Sequence, residues 1–231
     1  MSDGSAISRR RFLGSVATVA GAPMIVPASA LGRGGRPAPS ERVNVACIGM
    51  GTVAMTTTMA FLHEERAQVV SIADVNKESG HYWYNGQRQG GREVGRRMAN
   101  EHYAKQAGQA AYKGCTAYED FREMLEREDI DAVNISTPDH WHERMVIYCA
   151  RNGKHIYGQK PLSLTVAEGR RMVTEVTRAG ITWQTGSQHR SGNYFREAVE
   201  FVRNGRLGDL KTIKVGLPGG HRDFNTMADR T

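Results

Sequence analysis

Two short segments carry residue types that could do chemistry together. Val45-Ala46-Cys47-Ile48-Gly49-Met50-Gly51-Thr52-Val53-Ala54 reads as a strand, a glycine turn and the start of a helix, and about 110 residues later comes Gly158-Gln159-Lys160-Pro161-Leu162. In the first, Gly49 permits a tight turn and Gly51 lets the backbone approach a pyrophosphate. Ala54 stands where a third glycine is usual and is still small enough for helix–strand contact. Unpaired N–H groups and the dipole at the helix start attract phosphates. In the second, Lys160 beside Pro161 has few orientations. Its amino group can hydrogen-bond an oxygen that gains negative charge in a reaction, or a cofactor ribose. Together the segments point to a nicotinamide oxidoreductase, with Lys160 as the catalytic candidate.

Asp74 stands at the end of the next expected strand, 23 residues beyond Gly51. There it can accept hydrogen bonds from the adenosine ribose and repel a 2′-phosphate, which favours NAD over NADP. Lys77 nearby leaves NADP possible. Thr137-Pro138-Asp139-His140-Trp141-His142 follows another expected strand. Its two histidines and one aspartate do not complete a metal ligand set, so no metal is expected. The segment reads as a cofactor-facing loop, with Asp139 capping a helix and one histidine near the nicotinamide. The expected cofactor contacts are Gly49, Met50, Gly51, Thr52 and Val53; Asp74 and Val75; Thr137, Pro138 and His142; Lys160 and Pro161; and Gln188, which opens a polar loop after a later strand.

The elements that must position these residues alternate. Strands are expected over residues 43–48, 68–73, 132–136, 155–158, 181–185 and 211–215. Helices are expected over 52–62, 93–106, 118–126, 143–150, 165–179 and 194–204. Thr56-Thr57-Thr58 is poor helix sequence, whereas Thr165-Val166-Ala167-Glu168 is a capping box. Such alternation predicts an α/β fold, a doubly wound parallel sheet of the Rossmann type covered on both faces. The segment from residue 31 to 41, rich in Gly, Pro, Arg and Ser, reads as a linker.

Composition fits a globular protein, with 39% hydrophobic and 24% charged residues. Ser8-Arg9-Arg10-Arg11-Phe12-Leu13, an interrupted apolar run over residues 16–26 and Ala28-Ser29-Ala30 have the order of a twin-arginine signal peptide, residues 1–30. The run is too short for a stable membrane anchor. The expected destination is the periplasm, by way of the twin-arginine export machinery. The net charge of +7 falls to +5 without those residues. Arg88, Arg92, Arg96, Arg97 and Lys105 are interleaved with Glu93 and Glu101, which is a solvated helix face rather than a nucleic-acid surface. Cys47, Cys115 and Cys149 are odd in number and widely spaced, so they read as buried thiols.

With Ile48-Gly49-Met50-Gly51, Asp129-Ile130-Asp131-Ala132-Val133, Thr137-Pro138, Lys160-Pro161-Leu162 and Val202-Arg203-Asn204-Gly205-Arg206-Leu207-Gly208, the chain resembles the Gfo/Idh/MocA family over about residues 42–225. The resemblance implies a Rossmann domain over 42–188, then a linking helix and only the start of an α+β substrate domain over 189–231. It implies hydride transfer to or from a carbinol carbon of a sugar or cyclitol with NAD(P), and homo-oligomers for a full-length member. Some relatives instead cleave glycosides through transient oxidation by held NAD. A chain holding only the start of the second domain is also compatible with a non-catalytic, dinucleotide-binding role. One departure stands out: the family has glutamate before the lysine, and this chain has Gln159. Glutamine keeps the shape and loses the charge.

Overall fold

The structure, a computed structural model, describes residues 37–80, 82 and 89–216. The expected signal peptide, Arg88 and the tail after residue 216 lie outside the described residues. The chain divides between Gly186 and Ser187 into two compact units.

The first unit is built on a six-stranded sheet of β1 (Val43–Ile48), β2 (Ala67–Ala73), β3 (Thr116–Tyr118), β4 (Ala132–Ile135), β5 (His155–Gln159) and β6 (Trp183–Gly186). The order is β3-β2-β1-β4-β5-β6 and every pairing is parallel. This is the doubly wound order, whose direction reverses between β1 and β4. The helices are α1 (Thr52–His63), α2 (Arg92–Ala107), α3 (Phe121–Leu125), α4 (Asp139–Arg151) and α5 (Val166–Ala179).

Both faces of the sheet are buried, and β1 shows why. Val45 and Cys47 enter one core with Ala54 and Leu62 of α1 and Ala99 and Tyr103 of α2. Ala46 and Ile48 enter the other with Met124, Leu125, Met145, Val146, Cys149 and Met172. Period-two alternation between two apolar faces makes a central strand continuously apolar. In β2 the register against β1 slips after Val45, whose partner is Val69, whereas Ala46 pairs with Ser71. Val70 is the extra residue of this bulge, and beyond it Ile72 rather than Ala73 joins the α1–α2 core.

Local sequence explains most element ends. Thr165 Oγ1 accepts the Glu168 N–H at 3.2 Å and Glu168 Oε2 accepts the Thr165 N–H at 3.0 Å, so the expected capping box forms. Gly108 and Gly180 end α2 and α5 in the left-handed conformation. The threonine run in α1 does not break the helix. The Thr57 hydroxyl bonds back to Ala54 O at 3.2 Å and accepts Asn134 Nδ2 of β4 at 3.1 Å, so it ties helix to sheet.

Several expectations are corrected. Residues 118–126 are not one helix: residues 116–118 pair with β2, and Asp120 caps the shorter α3 by accepting the Arg122 N–H at 2.9 Å. Helix α4 begins four residues earlier than expected. Asp139 is its first residue, not its cap, and Pro138 holds the capping position without a side-chain bond. Part of the expected linker, Pro39–Glu41, is a 3-10 turn, and the carbonyl of Pro37 two residues before it accepts Arg42 Nη2 at 2.9 Å. The arginines of α2 are drawn into ion pairs with acids, Arg92 with Glu119 at 2.7 Å, Arg96 with Glu93 at 2.7 Å, and Arg97 with Glu78.

The second unit contains a 3-10 turn (Gln188–Ser191) and α6 (Asn193–Arg203). His189 stacks on Phe195, with ring centroids 4.4 Å apart. Residues 211–215, expected as a strand, have no regular structure, since no neighbouring strand among the described residues supplies hydrogen-bond partners. Among the described residues no helix is long and apolar enough to cross a membrane.

Candidate cofactor and active site

A cleft of about 600 Å³ lies at the carboxyl ends of the strands, where ligands bind in open α/β sheets. Gly49, Gly51, Thr52 and Val53 line it from the β1–α1 turn, and Asp74 and Val75 from the end of β2. Thr137 and Pro138 line it from the loop after β4, and Gln159 and Lys160 from the end of β5.

The glycine turn has the conformation that its sequence demands. Gly49 has φ 84°, and a Cβ there would stand 2.9 Å from Ser136 O. The close approach of Gly49 to the end of β4 therefore excludes any other residue without a backbone shift. Gly51 holds the capping position before α1 and offers no side-chain cap. The first N–H groups of α1 accordingly have no partner within the helix and face a cleft suited to an anion.

Asp74 is buried, and its carboxylate organises the turn. Oδ2 accepts the Met50 N–H at 2.7 Å, while Oδ1 accepts the Asn76 N–H at 2.9 Å and the Tyr82 hydroxyl. Burial and the hydrogen bond to Asp74 push the Tyr82 phenol well above its usual pKa. Met50 takes part through its backbone alone. Its side chain is fully buried and receives the Thr58 hydroxyl on sulfur at 3.6 Å.

The β4–β5 side is built differently. His142 is 1% exposed and does not line the cleft. Its Nδ1 stands 2.7 Å from Pro161 O and its Nε2 2.9 Å from Thr137 O, so the ring ties the loop after β4 to the loop after β5. His140, by contrast, is exposed beside Asp139. Lys160 is exposed in the cleft, its peptide to Pro161 is cis, and its amino group makes no hydrogen bond among the described residues. Gln159 is 3% exposed, and neither atom of its carboxamide has a hydrogen-bond partner among the described residues. A buried amide left without partners costs about 1–3 kcal/mol, and this one stands in the wall of the cleft. Gln188 is exposed in the second unit.

Sequence reasoning missed Tyr82, Glu119, Phe121, Ser136, Trp141 and Met145 as cleft residues. Trp141 had a signal, since it is the aromatic residue of the Asp-His-Trp-His run, and Arg144 lies 5.5 Å above its ring. Tyr82 had none, because it belongs to no helix or strand.

The residues present fit a dinucleotide: a glycine turn without Cβ atoms, an uncapped helix start, a carboxylate at the end of β2, and unsatisfied polar groups beyond the neighbouring strands. The sequence model of the oxidoreductase family with an NAD-binding Rossmann fold, Gfo/Idh/MocA, matches residues 43–187. Myo-inositol 2-dehydrogenase of Thermotoga maritima is 34% identical over 99 residues, which is 43% of this chain and 30% of that protein. A glycosyl hydrolase family 109 protein of a Shewanella species is 33% identical over 175 residues, 74% of this chain and 34% of that protein. The matched stretches thus span about a third of these curated relatives. The WlbA dehydrogenase of Bordetella pertussis, solved with NADH and UDP-GlcNAcA, shares the fold with a TM-score of 0.52 at 22% identity, over 72% of this chain and 43% of that one. From the glycine turn to the end of β6, the chain belongs to the Gfo/Idh/MocA family of NAD-binding Rossmann-fold oxidoreductases.

Proposed function

We propose that this chain supplies the cofactor-binding part of an NAD-dependent oxidoreductase that moves a hydride to or from a carbinol carbon of a sugar or cyclitol. The observation that carries the reading is one cleft lined by both Asp74 and Lys160. Their strands are three steps apart in the sheet, roughly 14 Å at the usual strand spacing. A dinucleotide laid across them has its adenosine ribose at Asp74 and its nicotinamide toward Lys160. NAD, when bound, supplies the hydride acceptor. Lys160 then hydrogen-bonds the carbinol oxygen and stabilises the charge that grows there. Gln159 offers both a donor and an acceptor to ribose or substrate hydroxyls. Asp74 disfavours a 2′-phosphate, so NAD is preferred to NADP. The expected export by the twin-arginine route, and homo-oligomers of a full-length protein, belong to the same reading.

A second reading is NAD-dependent glycoside cleavage with no net redox change. It is favoured by the longer match to proteins named for glycosyl hydrolase family 109 and α-N-acetylgalactosaminidase. Net cofactor turnover separates the two. The enzyme of which this chain is the cofactor-binding part is incubated with NAD and a panel of polyols and aryl glycosides, while reduced nicotinamide and released aglycone are followed. Accumulating NADH that is lost in Lys160→Ala supports the first reading. Aglycone release that requires NAD but leaves no NADH overturns it in favour of the second.

A further inference from the structure

Tyr82 occupies a built seat in the cleft. Its hydroxyl donates to Asp74 Oδ1, and Asn76 Nδ2 donates to the phenol oxygen at 2.9 Å. Its backbone carbonyl accepts the Thr52 hydroxyl at 2.6 Å. Its ring fills a slot between two glycines: a Cβ on Gly51 would stand 2.9 Å from Cδ1, and one on Gly90 would stand 2.6 Å from Cδ2. Both walls of that slot must lack a side chain for the ring to fit.

The seat overlaps two things that a dinucleotide needs. The first is the carboxylate. An ionised carboxylate offers about four lone-pair sites. At Asp74 three are taken, by the Met50 N–H, the Asn76 N–H and the phenol. A ribose diol brings two donors, so one of them goes unmatched while the phenol stays. The second is the space over Gly51, which must be clear for the backbone to meet the pyrophosphate. The tyrosine ring lies there.

We infer that Tyr82 is an internal competitor for the cofactor: its phenol holds Asp74 in place of the adenosine ribose, and the dinucleotide binds by displacing it. The inference rests on the cleft being the NAD site. The apparent affinity is then the intrinsic one reduced by the fraction of molecules with Tyr82 released. Ligands that use the adenosine ribose feel this reduction, and ligands that occupy only the nicotinamide side do not.

The test is calorimetric titration of the whole chain, Tyr82→Phe and Tyr82→Ala with NAD, ADP-ribose and nicotinamide mononucleotide. The Phe variant keeps the ring in its slot and removes only the bond to Asp74. It is expected to bind NAD and ADP-ribose about tenfold more tightly than the unaltered chain, the equivalent of one hydrogen bond to a charged group. The Ala variant is expected to gain at least as much, with nicotinamide mononucleotide unchanged. ADP-ribose binding that is unchanged or weaker in the Phe variant, while the unaltered chain binds it, overturns this inference and leaves the cofactor reading standing. Absence of NAD and ADP-ribose binding in all three proteins overturns both.

Discussion

The two halves of the cleft treat their polar groups in opposite ways. On the β1–β2 side every observed partner of the Asp74 carboxylate is internal, from Met50, Asn76 and Tyr82. On the β4–β5 side the buried Gln159 carboxamide has no partner among the described residues, and Lys160 lines the cleft as an exposed residue. The first half is held in shape by its own bonds, so a ligand must exchange for one of them. The second half carries an unmet desolvation cost at Gln159. A Rossmann site can thus be rigid where it grips the invariant adenosine and open where the chemistry and the substrate vary.

Removing Lys160 should break the open half with the largest effect. In Lys160→Ala, turnover is expected to fall by about 10²–10³-fold, while NAD affinity changes less than about tenfold. Steady-state kinetics beside a binding titration separate the two effects. Removing Asp74 should break the self-satisfied half. Asp74→Ala strands the Met50 N–H and the Tyr82 hydroxyl and is expected to cost about 3 kcal/mol of stability, read from denaturant midpoints, along with weaker NAD binding.

The contrast sharpens at Gln159. In Gln159→Leu the orphaned amide is gone, so the protein is expected to hold or gain about 1 kcal/mol of stability while ligand affinity falls about tenfold. A variant that loses stability as well would show that Gln159 is a structural group and not a ligand-facing one. The smallest effect concerns the cores on which both halves stand. Burial raises the Cys47 thiol from 9.0 to about 11, and the Cys115 thiol to about 12. The folded protein keeps these protons where the unfolded chain has lost them. Stability is therefore intact below pH 9 and falls as pH rises from about 9 to 11. The loss should be on the order of 1 kcal/mol per thiol near pH 10. Thermal melts across that range check it, and Cys47→Ala should flatten the slope.

Much of this was legible in the sequence, because strong local rules and global packing agree. The glycine turn, Asp74, the capping box at Thr165 and the apolar alternation of β1 each follow from one residue type at one spacing. What was not legible depended on neighbours distant in the chain. The bulge at Val70 appears only when β2 is paired with β1. Strand β3 is three residues long and is defined by its partner, not by any pattern of its own. His142 was expected as a cofactor contact, and its place is set by carbonyl oxygens of residues 137 and 161. Tyr82 comes to Asp74 through a slot formed by Gly51 and Gly90, a proximity that no periodicity encodes. Thr57 reads as a weak helix residue until the partner of its hydroxyl, Asn134, is known.

The most direct test of the central claim, that this cleft is a dinucleotide site, is a thermal melt of the chain with and without NAD. Ligand at about 100 times Kd adds about 2.7 kcal/mol. The account predicts a single cooperative transition raised by several degrees with NAD, and a shift nearly abolished in Asp74→Ala. A transition that NAD does not move at any concentration would contradict it.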